Sequence, residues 1–164
     1  MLQAPRRHAR AAGLDCKGAA AAMTILPITL TIAGAAALLN FWLGMRISRL
    51  RAAHKVMTGD GGVPALIARM RAQANFVENT PIFLILLGLI ELAHGSATWL
   101  WLVAIVYILG RVLHPFGMDR PAPNAFRMAG TIGTMLPILA LAGYALATPY
   151  LMPATGGATM VVDR

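Results

Sequence analysis

Arg71, Asn75 and Glu78 stand at i, i+4 and i+7, so a helix would carry a cation, an amide and an anion on one face. That set suits a zwitterion. A guanidinium forks onto a carboxylate, and a carboxylate accepts from an ammonium. Arg71 and Glu78 would lie roughly 10 Å apart along the helix axis, the length of a small charged peptide. A second group follows in Gly110-Arg111-Val112-Leu113-His114-Pro115-Phe116-Gly117-Met118, where Arg111 and His114 are i, i+3 neighbours on a shared face. Arg127 opens the last apolar stretch, and Arg49 or Arg51 closes the first. Several cations around one acid fit a guest with more than one carboxylate and a single ammonium.

The elements that must position these groups are apolar. The chain has 164 residues, 58 % of them hydrophobic, with a mean hydropathy of +0.67. That is one domain's length and a membrane composition, not a soluble one. A bilayer core about 30 Å thick needs about 20 apolar residues per helix. Segments 23–45, 92–110 and 128–150 contain no Asp, Glu, Lys or Arg, and the first residues of 92–110 look like a turn. Segment 72–93 holds Glu78 and Glu91 and is expected to be the least lipid-exposed. The expected fold is therefore all-α, an integral membrane four-helix bundle spanning 23–150. It is preceded by a polar extension, 1–22, and followed by a short tail, 151–164. An acid inside such a span faces a bundle interior or a wet pocket by default.

Charge sets the orientation. The connection 46–71 holds Arg46, Arg49, Arg51, Lys55, Arg69 and Arg71 against Asp60, and 111–127 adds Arg111, Arg120 and Arg127 against Asp119. Around His94-Gly95-Ser96 there is no Lys or Arg. The first and third connections are then cytoplasmic and both termini outside. Arg6, Arg7, Arg10 and Lys17 would sit on the wrong side, a conflict that a start at Met23 removes. The extension has no apolar core before a small-residue cleavage site, so it does not read as a signal peptide. The formal charge of +8 follows this topology more simply than it follows nucleic acid. Cys16, the only cysteine, excludes an internal disulfide and offers neither a metal cluster nor a buried thiol nucleophile. His8, His54, His94 and His114 show no metal-binding spacing.

Local punctuation completes the outline. Thr58-Gly59-Asp60-Gly61-Gly62-Val63-Pro64 breaks the chain between the first two helices, and Pro64 suits the start of the second. Pro81 is expected to bend that helix just past Glu78, and Pro115 to act likewise after His114. Ala129/Gly133, Gly143/Ala147 and the Ala33 to Ala37 run stand at helix-packing spacing.

The run RAQANFVENTP followed by a long apolar stretch resembles the signature of the membrane-associated eicosanoid and glutathione metabolism family, MAPEG. The resemblance covers about residues 24–148 and points to a bacterial branch. It implies a homotrimer in the inner (cell) membrane that binds glutathione between subunits, with a lipophilic small molecule as second substrate. Carried over by position, Arg71, Asn75 and Glu78 match glutathione-contacting residues. Arg111-Val112-Leu113-His114 is similar to the Arg-Val-Ala-His run of the prostaglandin-forming branch. Arg127, thirteen residues past the histidine, matches an arginine near the glutathione sulfur and is the implied catalytic group. Arg49 best matches the first-helix arginine, with Arg46 and Arg51 as close rivals. Two positions depart from the pattern: Asn79 stands where a tyrosine often follows the glutamate, and Met118 where several enzymes carry a phenol.

Plainer readings compete. Arg71 alone would be an interface anchor, Glu78 half of a structural ion pair, and His114 a packing histidine. Glu91, about 220° around the helix from Glu78, reads as an outer-interface residue. Trp99, Trp101 and Tyr107 read as belt and packing aromatics, and 46–55 as a seat for anionic headgroups. Two function classes follow: a glutathione transferase or glutathione-dependent peroxidase, or a non-catalytic membrane module keeping the fold and its ligand or lipid site. A transporter is weaker, because broken helices and paired repeats are not apparent. N-terminal mass mapping of the native protein is expected to find no peptide from residues 1–22; finding them would refute a start at Met23.

Overall fold

The computed structural model describes residues 25–151 of the chain; the extension 1–22, with Cys16, and the tail from 152 lie outside the described residues. Four helices follow one another: α1 (Pro27–His54), α2 (Pro64–His94), α3 (Thr98–Met118) and α4 (Ala125–Leu151). Each is long and apolar enough to cross a bilayer. The protein is an all-α membrane four-helix bundle.

Start and stop signals set the ends. α1 and α2 each begin at a proline, whose missing N–H would have had no helical partner. α1 does not stop with its apolar run at Met45. It continues through Arg46, Arg49 and Arg51, because arginine, leucine and alanine are good helix formers. Lys55 then turns left-handed at φ 54°, and Val56 N–H donates back to Arg51 O at 3.0 Å. The true connection to α2 is thus short: Gly62 N–H donates to Asp60 Oδ1 at 2.9 Å, and Gly59, Gly61 and Gly62 take positive φ. α2 runs without a break past Pro81 to His94, so Leu92 belongs to its last turn rather than to the third span. α3 likewise continues past Pro115 to Met118.

Contrary to expectation, α3 rather than α2 is the most enclosed helix. The cause is its seam with α4, where glycines let backbones touch. A Cβ on Gly110 would lie 2.6 Å from Gly133 C, and one on Gly130 would lie 2.6 Å from His114 Cα. Of the small residues expected from spacing, Gly133 lies in this seam and Ala36 is buried in α1, but the others do not all take part. Ala129 is exposed, and Gly143 has nothing within 4 Å. Ile32, Phe83, Leu87, Leu100, Tyr107 and Leu141 fill the core, with the Phe83 and Tyr107 rings stacked 3.7 Å apart. Tyr107 is therefore a packing residue, while Trp99 is partly exposed against Tyr144.

Glu91 is the largest correction. It is 1 % exposed, and its carboxylate caps α1 across the bundle. Ile28 N–H donates to Oε1 at 3.0 Å, and Thr29 N–H to Oε2 at 2.8 Å. The Thr29 and Ser96 hydroxyls add bonds of 2.7 Å each. An anion at a helix N-terminus meets both orphan donors and the positive end of the helix dipole. Leu26, at the cap position, offers no side-chain bond of its own, so the acid had to come from elsewhere. Glu91→Ala would strand two backbone N–H groups at a cost of about 1–3 kcal/mol each. Thermal unfolding in detergent should show a clear drop, larger than for Thr29→Val; an unchanged midpoint would contradict the cap.

Candidate functional site

At the end of the bundle where α1 meets α2 and α3 meets α4, all four helices bring basic side chains together. Asp119, just past α3, binds two of them. Arg46 donates to its carboxylate, and Arg69 Nε lies 3.5 Å from Oδ1. Arg69 Nη1 also donates to Arg46 O at 3.1 Å, and the Arg46 guanidinium stacks 4.7 Å from the Trp42 ring centre. One acid therefore ties α1 and α2 to the end of α3. Asn124 fixes the next turn: its Oδ1 accepts from Arg127 N–H at 2.9 Å, and its Nδ2 donates to Gly117 O at 3.0 Å. This is an N-cap that also sets where Arg127 enters α4. Gly117 makes room for it, since a Cβ there would lie 2.3 Å from Arg127 N.

Between α2, α3 and α4 these constraints leave a cleft of about 170 Å³ lined by Arg71, Ala74, Asn75, Glu78, His114, Met118 and Arg127. Five of the seven residues singled out by sequence thus meet in one place. The Arg71, Asn75 and Glu78 face arises from helical spacing alone. His114 reaches it because Gly130 lets α4 approach α3 at that level. Among the described residues the ion pairs are Arg46–Asp119 and Arg69–Asp119, so Glu78 takes part in none. Within one chain Arg71, Glu78 and Arg127 are exposed, although their helices are membrane-spanning. The lining carries two guanidinium groups against one carboxylate.

Arg111 does not line the cleft. It is 1 % exposed and lies behind it, donating from Nη1 to Asn75 Oδ1 at 2.8 Å and to Thr134 Oγ1 at 3.2 Å. Its guanidinium carbon sits 5.2 Å from the centre of the Phe76 ring. Arg49 is exposed on α1 and does not line the cleft either. Its two rivals are engaged elsewhere: Arg46 with Asp119, and Arg51 with Met57 O at 3.4 Å. Thr134, Ala74 and Asn124 are the site residues that spacing did not reveal. Thr134 and Ala74 lie in apolar runs without a local signal. Asn124, between Pro123 and a helical stretch, carried a capping signature. Asn79 stays within its own helix, donating to Asn75 O at 2.8 Å, and Met118 brings a thioether to the cleft.

The MAPEG family model matches residues 29–147, which contains all of this site. The chain is 35 % identical over 82 residues to the inner membrane protein YecN of Escherichia coli strain K12. The same figures hold for YecN of Escherichia coli O6:H1 strain CFT073. That alignment covers 49 % of this chain and 62 % of the relative, less than two thirds of its length.

Gly130→Ala would press a methyl group against the His114 backbone, which cannot yield as a flexible side chain would, and overpacking of this kind costs about 1–3 kcal/mol. Thermal unfolding should therefore fall for Gly130→Ala and stay near wild type for Gly143→Ala, whose surroundings are open. Equal effects of the two would contradict the α3–α4 seam.

Proposed function

The chain belongs to the MAPEG family, and on that premise we propose that it is a glutathione-binding membrane enzyme, a glutathione transferase or glutathione-dependent peroxidase acting on a lipophilic electrophile. The observation that carries this is the cleft itself: Arg71, Asn75, Glu78, His114 and Arg127 converge on one space in an apolar bundle. Glutathione has two carboxylates, one ammonium and a thiol. Arg71 would fork onto a carboxylate, and Glu78 would take the ammonium. Arg127, supported by His114 and the buried charge of Arg111, would stabilise the thiolate. A free thiol titrates near pH 8.5, and adjacent cations lower that value. The thiolate sulfur then bonds to an electrophilic carbon, either displacing a leaving group that departs with its electron pair or adding to an activated double bond whose carbanion takes up the proton the thiol gave up. With a hydroperoxide, two glutathione molecules are oxidised to the disulfide while the peroxide becomes an alcohol and water.

A cleft of about 170 Å³ is smaller than a whole ligand pocket, which typically runs to about 300–1,000 Å³. Exposed Arg71 and Glu78 on a membrane-spanning helix also call for cover, because lipid solvates neither charge. A homotrimer supplies both, with a neighbouring copy forming the outer wall and its Arg49 free to reach across. The first and third connections then face the cytoplasm, where glutathione is found. The lipophilic substrate arrives sideways from the bilayer.

A second reading keeps the ligand without the chemistry. Met118 and the other lining residues present no phenol or hydroxyl to the thiol. In that case the protein is a binding or assembly module of the membrane.

Equilibrium titration of glutathione into the detergent-solubilised protein should show saturable binding. Arg71→Ala and Glu78→Gln should each weaken it by at least about tenfold, or 1.4 kcal/mol. Turnover with a chromogenic electrophile, or with a lipid hydroperoxide, should fall about 10²–10³-fold in Arg127→Ala, by analogy with the loss of an oxyanion donor. Wild-type binding without turnover favours the second reading. Absence of binding refutes both.

A further inference from the structure

Asn75 sits between the cleft and Arg111, and the two ends of its amide are chemically opposite: one accepts, the other donates. Arg111 is a pure donor, so the atom 2.8 Å from its Nη1 must be the amide oxygen. With the oxygen so engaged, the Nδ2 hydrogens are the end of the amide left to serve the cleft that Asn75 lines. Arg111 is held in turn by Thr134. The Thr134 hydroxyl donates its hydrogen to Gly130 O at 2.8 Å, which leaves a lone pair to accept from Arg111 Nη1 at 3.2 Å. Both residues are 1 % exposed, so neither can exchange these bonds for bonds to water. The hydrogen bonds that join Gly130 O, Thr134 Oγ1, Arg111 Nη1 and Asn75 Oδ1 therefore all run in one sense.

We infer that Thr134 and Arg111 form a positioning relay that locks Asn75 as a hydrogen-bond donor, so that this part of the cleft accepts only a carboxylate or a carbonyl oxygen of the guest. Arg111 is then a positioning residue and not a direct ligand. Its charge also polarises the Asn75 amide, strengthening the N–H groups toward an anionic oxygen. Among the described residues Arg111 joins no ion pair, so that charge is not cancelled behind the cleft. The choice of glutathione as probe rests on the proposed function; the relay itself does not.

The test combines stability and binding in the full-length protein in detergent. Thermal unfolding without ligand is measured for wild type, Thr134→Val, Asn75→Ala and the double variant, giving a coupling that needs no guest. Glutathione affinity is measured for the same set, with Thr134→Ser and Asn75→Asp added. The relay predicts non-additive unfolding shifts, about tenfold weaker binding in Thr134→Val, and recovery to within about twofold in Thr134→Ser. It also predicts no further loss from Thr134→Val once Asn75 is alanine. Asn75→Asp keeps the bond to Arg111 but replaces the donor with an oxygen, and should lose at least tenfold in affinity. Additive unfolding shifts overturn the relay, as does wild-type affinity in Thr134→Val or Asn75→Asp. Coupled unfolding in a protein that binds no glutathione supports the relay and refutes the glutathione reading instead.

Discussion

A guanidinium enclosed among apolar helices needs polar partners, because an unpaired charge out of water costs several kcal/mol. Arg111 finds them through Nη1 in two neutral groups, Asn75 and Thr134, and in the face of Phe76, while its buried Nε has no partner among the described residues. Much of the rest follows from this choice. A carboxylate beside Arg111 would have cancelled its charge and closed the interior. An amide leaves the charge standing and keeps a second, donor end at the cleft that Asn75 lines. The one acid nearby, Glu78, stays outside any ion pair among the described residues and opens onto the cleft.

Keeping such a site in register demands a rigid frame. Here that comes from backbone contact more than from apolar side chains. Gly110 against Gly133 and Gly130 against His114 bring α3 and α4 together at the level of the cleft. Asp119 ties α1 and α2 to the end of α3, and Asn124 sets the first turn of α4. At the opposite end of the bundle Glu91 fastens the start of α1. In lipid no hydrophobic effect drives helices together, so close packing and satisfied polar bonds must hold them. The two acids Asp119 and Glu91 therefore serve architecture, whereas Glu78 lines the cleft.

The helices and the cleft motif were legible in the sequence for a plain reason: both depend on local spacing. Charge-free runs give spans, and i, i+4, i+7 gives the face of Arg71, Asn75 and Glu78. What depends on contacts between distant segments was hidden. Glu91 caps a helix that begins more than sixty residues earlier, and nothing around it announces that. Thr134 lies in an apolar run where a hydroxyl is commonplace. Arg111 and His114 share a face in sequence, yet the first turns to Asn75 and the second to the cleft, because Gly130 presses α4 onto His114. Arg49 illustrates a different limit. Three arginines follow one another at the end of α1, and spacing could not say that Arg46 is held by Asp119 and Arg51 by Met57.

The central claim is that a zwitterionic guest completes the charge pattern around Glu78. The direct measurement is an experimental density map of the protein in lipid nanodiscs, determined with and without saturating glutathione. The account predicts ligand density between Asn75, Glu78 and Arg127, with an acceptor oxygen against the Asn75 amide and no protein cation on Glu78. A map in which a neighbouring copy's arginine or lysine already neutralises Glu78 and fills the cleft, with no density for glutathione, would contradict it.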